Sequence, residues 1–168
     1  DLLPQKALTV GRSLDIVTQI VEGLSEAHAQ GIIHRDIKPA NVIVSDKGPV
    51  KILDFGLAKF IEAETNIETS QRLNTSGAVM GTVPFMSPEQ LRGKVLDQRT
   101  DIFSLGSLLY EMLSGRPAFT RESNAEAIAA ILHDEPDWSQ ISEPLRPVLQ
   151  KCLAKRKADR YESAFILA

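Results

Sequence analysis

Apolar positions along the chain fall into several helical runs and one pair of short β-type runs. Val10, Leu14, Val17, Val21, Leu24 and His28 recur at three- and four-residue steps and predict a helix over 10–30. Thr9 or Ser13 suits its start, and Gly31 suits the position just past its end. Over 98–114, Ile102, Phe103, Leu105, Leu108, Leu109, Tyr110, Met112 and Leu113 leave almost no polar face, which predicts a buried helix stopped by Gly115 and Pro117. Asp101 falls inside that run, where a carboxylate is costly unless it is hydrogen-bonded. Ser123 and Glu126 form a capping-box pattern ahead of a helix to His133, with Ala127, Ile128, Ile131 and Leu132 as its apolar stripe. Pro136 and Trp138 mark a loop, with Trp138 read as packing. Leu145, Val148, Leu149, Cys152 and Leu153 then show helical spacing again. Between the first two helices, Val42–Val44 and Val50–Leu53 flank Ser45-Asp46-Lys47-Gly48, a hairpin signal.

A hairpin brings its two ends together. Asp36, Lys38 and Asn41 precede the first strand and Asp54 ends the second, so these four are expected to converge at one rim. The set fits phosphoryl transfer. An aspartate that accepts a hydroxyl proton needs a nearby cation and a fixed loop. An amide and a carboxylate are oxygen ligands of the kind Mg²⁺ takes alongside phosphate and water. A lysine can offset the charge on a transferred phosphoryl group. Taken singly, each residue has a plainer reading: aspartates near turns are mostly caps, and a lone lysine is mostly a solvated surface charge. The four together at this spacing make the functional reading the stronger one.

Composition narrows the field. Apolar residues make up 43% of the 168 and charged residues 24%, as in a soluble globular domain with one ordinary core. The net charge of −3, from 22 acidic and 19 basic residues, argues against a nucleic-acid-binding surface. No apolar run reaches the ~18 residues that a membrane-spanning helix needs. A single cysteine, Cys152, permits no internal disulfide, so the expected compartment is reducing and cytoplasmic. Cys152 sits on an apolar helix face and is read as inert. His28 is read as a core histidine, and a zinc site with His34 lacks further ligands.

The stretch HRDIKPAN at 34–41 followed by DFG at 54–56 resembles the catalytic core of protein kinases, and Lys38 resembles that of the serine/threonine group. The resemblance implies the following roles. Asp36 is the catalytic base, Lys38 contacts the γ-phosphate of ATP, and Asn41 and Asp54 hold Mg²⁺. Ile43 matches the floor of the adenine pocket, and His34 and Phe55 match members of an apolar spine. Residues 54–89 match an activation segment ending in Ser87-Pro88-Glu89, where most family members have alanine at the first position. Arg35 and Lys59 match a basic pocket for a phosphorylated loop residue, expected at Thr75 or Ser76, with Thr65, Thr69 and Ser70 as weaker candidates. Thr82 matches the threonine that bonds the catalytic aspartate and lysine. Asp101 matches the aspartate that holds the catalytic-loop backbone, and Arg160 the partner of Glu89. Phe103 stands where tryptophan is usual.

The implied fold is mainly α with one short β-hairpin, the C-terminal lobe of the two-lobe kinase domain, over residues 1–168. HRDIKPAN, SPEQ and the RYESA ending resemble the bacterial kinases related to eukaryotic ones. The chain contains no glycine-rich loop, no Val-Ala-Ile-Lys strand and no hinge, and it reads as a fragment lacking its N-terminal lobe. The implied function is transfer of the ATP γ-phosphate to serine or threonine hydroxyls of proteins. The implied partners are a protein substrate and the missing lobe. A pseudokinase or scaffold module of the same fold, and a small-molecule phosphotransferase, are the alternatives. Intact Asp36, Lys38, Asn41 and Asp54 argue against the former, and the SPE segment with Glu89 and Arg160 against the latter.

Overall fold

The computed structural model describes residues 7–45, 49–54 and 82–167. Helix α1 runs Val10–Ala29. Thr9 caps it, its hydroxyl accepting from Arg12 N–H at 3.3 Å, and Gly31 at φ 74° turns the chain out of it. The buried face of α1 is Ser13, Ile16, Ile20, Val21, Leu24 and Ala27. This corrects the predicted stripe: Val10 and Leu14 are 45% and 39% exposed. At 100° per residue the two stripes lie about 60° apart round the helix. The sequence is apolar across both, and periodicity alone cannot choose between overlapping faces.

The hairpin is shorter than expected. Strands β1 (Val42–Ile43) and β2 (Lys51–Ile52) pair antiparallel, Val42 opposite Ile52 and Ile43 opposite Lys51. The turn at 46–48 lies outside the described residues. A 3₁₀ turn at Val83–Phe85 leads to the four-residue helix α2 (Pro88–Leu91), which is followed by α3 (Arg99–Ser114). Helix α3 is the centre of the lobe. Every residue from Thr100 to Tyr110 is buried, and Gly115 at φ 76° ends the helix with its N–H on Glu111 O.

Helix α1 and the Val83–Phe85 turn pack on α3, and β2 packs on α1. α1 covers one side, with Leu8 N–H bonded to Met112 O at 2.7 Å. Helix α4 (Asn124–His133) opens with the predicted capping box of Ser123 and Glu126, and packs on the Val83–Phe85 turn and on α2. Helix α5 (Arg146–Cys152) follows a 3₁₀ turn at Glu143–Leu145 and packs on α3 at Gly106. A Cβ at position 106 would lie 2.7 Å from Cys152 Cβ, so the glycine permits the close approach. Burial pushes the Cys152 thiol up to about 12, as its inert reading requires. Phe103 stacks on Phe119 at 5.9 Å, and Trp138 meets Tyr110 edge-on at 6.1 Å. The architecture is therefore mainly α-helical with one two-stranded hairpin, and the described residues contain no helix long and apolar enough to cross a membrane.

Candidate active site

The loop at residues 34–41 leaves α1 and enters β1, and several of its polar atoms are held by hydrogen bonds. Asp36 takes Asn41 Nδ2 at 2.9 Å and Lys38 Nζ at 2.9 Å on the same oxygen, Oδ2. Its Oδ1 has no partner among the described residues. The Asn41 amide also donates to Asp36 O at 2.8 Å, which pins the loop at both main chain and side chain. Lys38 Nζ donates in addition to Thr82 Oγ1 at 2.9 Å, tying the loop to the segment before α2. The side chains of Asp36 and Lys38 remain 30% and 18% exposed, so a substrate group can reach them.

Two residues of the site have backbones that side-chain-bearing residues rarely adopt. Arg35 has φ 70° and Asp54 φ 53°. Such left-handed geometry costs roughly 1–3 kcal/mol per residue and persists only where the surroundings fix it. Around Arg35 they do. Asp101, fully buried on α3, accepts Arg35 N–H on Oδ1 and both His34 N–H and His28 Nε2–H on Oδ2, each at 2.8 Å. On the other side of the residue, Gln90 Nε2 donates to Arg35 O at 2.8 Å. Around Asp54, His34 Nε2–H donates to Leu53 O at 2.8 Å and Leu53 N–H to Asn41 O at 2.8 Å. His34 Nδ1 accepts from Asp36 N–H at 3.2 Å. His34 therefore links the Asp36 loop to the strand that carries Asp54.

The oxygen donors suit a hard cation. The amide nitrogen of Asn41 is committed to Asp36, so its Oδ1 is the atom left to face an ion. Asp54 is exposed, next to Leu53, whose N–H is bonded to Asn41. An amide oxygen and a carboxylate at adjacent positions across a hairpin match Mg²⁺, which takes one or two protein oxygens and keeps phosphate and water for the rest. Among the described residues no cluster of three or more His, Cys, Asp or Glu side chains offers a metal cage. Ile43 is half-buried on β1, on the same rim.

Away from the loop, Glu89 and Arg160 form a bidentate pair, with Nη1–Oε1 at 2.6 Å and Nη2–Oε2 at 2.9 Å. Their side chains are 5% and 0% exposed. Burial pushes the Glu89 carboxyl up, but the Arg160 hydrogen bonds and charge, with Thr100 Oγ1 donating at 3.0 Å, more than reverse this and hold it below its ordinary value. Of the remaining sequence expectations, Phe55, Lys59, Thr75 and Ser76 fall outside the described residues. Two contributors were not foreseen. His28, read as core packing, supports Asp101. Gln90 supports Arg35, and the Ser87-x-x-Gln90 capping-box spacing was the available signal for it.

The chain matches the protein kinase domain over residues 2–168. It belongs to the protein kinase family. It is 37% identical over 162 residues to the serine/threonine-protein kinase PknB of Mycobacterium tuberculosis, which covers 94% of this chain and 25% of the relative. It is 39% identical over 163 residues to the probable serine/threonine-protein kinase PknB of Corynebacterium glutamicum, covering 92% of this chain and 24% of the relative. PknB of Mycolicibacterium smegmatis is 35% identical over 158 residues. This kinase-family chain thus resembles the bacterial eukaryotic-like serine/threonine kinases and spans about a quarter of the length of these curated relatives.

Proposed function

We propose that the protein carrying this chain transfers the γ-phosphoryl group of ATP to serine or threonine hydroxyls of proteins, and that residues 1–168 are the C-terminal lobe of its kinase domain. The observation that carries the reading is the asymmetric Asp36 carboxylate. One oxygen is held by Asn41 and Lys38, and the other is open on a partly exposed rim. A fixed carboxylate with one free oxygen can orient a substrate hydroxyl and accept its proton. The held oxygen keeps that free one aimed.

Lys38 lies 2.9 Å from both Asp36 and Thr82, where an ammonium can offset negative charge arriving on the phosphoryl oxygens as the hydroxyl attacks. Asn41 Oδ1 and the Asp54 carboxylate are the groups that would hold Mg²⁺. The ion, when bound, would neutralise charge on the phosphate chain. Ile43 would lie under the adenine ring. The Arg35 guanidinium has a buried Nε without a partner, which supports a role in receiving a phosphate from the activation segment. Lys59 would share that role.

The test is Asp36→Asn in the full-length protein, assayed by transfer of labelled phosphate from ATP to a generic serine/threonine substrate. The amide is nearly isosteric but cannot accept the proton in the same way. Transfer should fall by about 100-fold or more, the scale of general-base catalysis, with the melting temperature little changed. A variant that transfers phosphate at the wild-type rate removes Asp36 from the reaction.

A further inference from the structure

Arg35 is the left-handed residue immediately before the proposed base, and its two backbone groups are held from two different elements. Its N–H goes to Asp101 on α3, and its carbonyl takes Gln90 Nε2 from α2. Gln90 is anchored in turn. Its Oε1 accepts Ser87 N–H at 2.9 Å, and its own N–H bonds Ser87 Oγ at 3.3 Å. The carboxamide is thus read at both ends. Only one orientation puts the NH₂ against the Arg35 carbonyl and the oxygen against the Ser87 N–H.

We infer that Gln90 is a positioning residue for the phosphoryl transfer proposed above: its side-chain amide fixes the Arg35 carbonyl and so the direction of Asp36. The inference rests on that reading of Asp36. Without the Gln90 donor, the Arg35–Asp36 peptide keeps its N–H on His34 Nδ1, and Arg35 keeps its own N–H on Asp101, but the Arg35 carbonyl loses its side-chain donor and the left-handed residue is held from one side only. The base would then sample geometries in which its free oxygen misses the hydroxyl. Small misplacements of this kind lower the rate of the chemical step more than they lower substrate binding. Gln90 acts through Arg35 and touches neither substrate nor nucleotide.

The decisive variants are Gln90→Glu and Gln90→Met in the full-length protein. A glutamate retains the acceptor for Ser87 N–H, so the capping box and the melting temperature survive. It loses the donor and turns a second acceptor toward the Arg35 carbonyl. Its kcat should fall about tenfold near neutral pH, with KM for ATP within about twofold of wild type. Lowering the pH protonates the glutamate and restores an O–H donor. The ratio of variant to wild-type kcat should therefore rise between about pH 8 and pH 5.5, as the carboxyl approaches its titration range. The other ionisable groups linked to this position, Arg35 and Asp36 on the loop, His34, Asp101 and His28 behind them and Glu89 beside it on α2, are the same in both proteins, so the ratio removes their shared pH dependence. Methionine has no proton to regain, and its kcat should stay low across the same range.

A merely structural Gln90 would lower the melting temperature and give no pH-dependent recovery, and that pattern overturns the inference. So does a Gln90→Glu protein with wild-type kcat beside an Asp36-dependent wild type; the kinase reading survives that result. Absence of Asp36-dependent transfer in the wild-type protein overturns the kinase reading itself, and the role of Gln90 with it.

Discussion

Replacing Arg160 by leucine removes a guanidinium that holds more than its ion pair. Nη1 and Nη2 take both Glu89 oxygens, Nη1 also donates to Arg99 O at 3.0 Å, Nε to Ala154 O at 2.7 Å and Nη2 to Lys155 O at 3.3 Å. The guanidinium carbon lies 4.9 Å from the centre of the Phe103 ring. Leucine keeps some of the packing and leaves the buried Glu89 carboxylate with Thr100 as its remaining side-chain partner. Breaking one side of a buried pair typically costs ~3–5 kcal/mol. At about 2–4 °C per kcal/mol for a domain of this size, the melting temperature should fall by roughly 6–20 °C. The control is Arg121→Leu. Arg121 pairs with Asp134 at 3.1 Å, but the side chains are 40% and 53% exposed. Such surface pairs contribute about 0–1 kcal/mol.

The pH dependence gives a second check. In the wild-type protein Glu89 is held below its ordinary value, so its stabilisation is complete above the unfolded value of about 4.3 and is lost as pH falls through the lower folded value. In the leucine variant burial is no longer opposed by Arg160, and the carboxyl is raised. Its penalty is then full at neutral pH and is relieved as pH falls through that raised value. Both effects narrow the gap between wild type and variant on acidification. Thermal denaturation of the two purified proteins across pH measures it. Equal melting temperatures for the Arg160 and Arg121 variants, or a gap that widens in acid, would refute a buried, charge-compensated Glu89.

Asp54→Asn should weaken Mg²⁺-dependent nucleotide binding, and unchanged nucleotide affinity across a Mg²⁺ titration would count against Asp54 as a ligand. Mass spectrometry of the active enzyme should find phosphate between residues 62 and 82, at Thr75 or Ser76 first, where about −1.5 to −2 charges could pair with Arg35 and Lys59. Full activity with that segment unmodified would refute regulation there. Residues 1–168 alone should show little turnover, because no glycine-rich loop or strand lysine is present to hold the phosphates out of water. A rate within the usual kinase range of roughly 1–100 s⁻¹ from residues 1–168 would mean that the nucleotide binds elsewhere.

Much of the site was legible because short spacings and a hairpin force its members together. Asp36, Lys38 and Asn41 lie on one loop, and β1–β2 pairing returns Asp54 to it whatever the rest of the lobe does. The buried α3 was legible because apolar residues surround it and leave a single orientation-free answer. The face of α1 was not, since Val10, Leu14, Ile16 and Ile20 offer two stripes and only the packed lobe selects one. His28 and Gln90 were missed as contributors for a different reason. Their partners, Asp101 and Arg35, lie 73 and 55 residues away; one histidine on an apolar face carries no mark of what it will meet, and the Ser87-x-x-Gln90 spacing signals a cap but not the Arg35 carbonyl.

The geometry of the loop at residues 34–41 is thus made by contacts from distant elements, and α2 is where two anchors meet. A helix of four residues has no stability of its own. Its position comes from Glu89, which reaches Arg160 just beyond α5, and from Ser87 and Gln90, which close the capping box. Glu89 and Gln90 are adjacent, yet one is anchored to the base of the lobe and the other holds the Arg35 carbonyl beside the proposed base. A shift of α2 therefore reaches Asp36 through the Gln90 hydrogen bond to the Arg35 carbonyl. On this view loss of Arg160 should slow phosphoryl transfer even at temperatures where the variant is still folded, because α2 loses its anchor before the lobe loses its core.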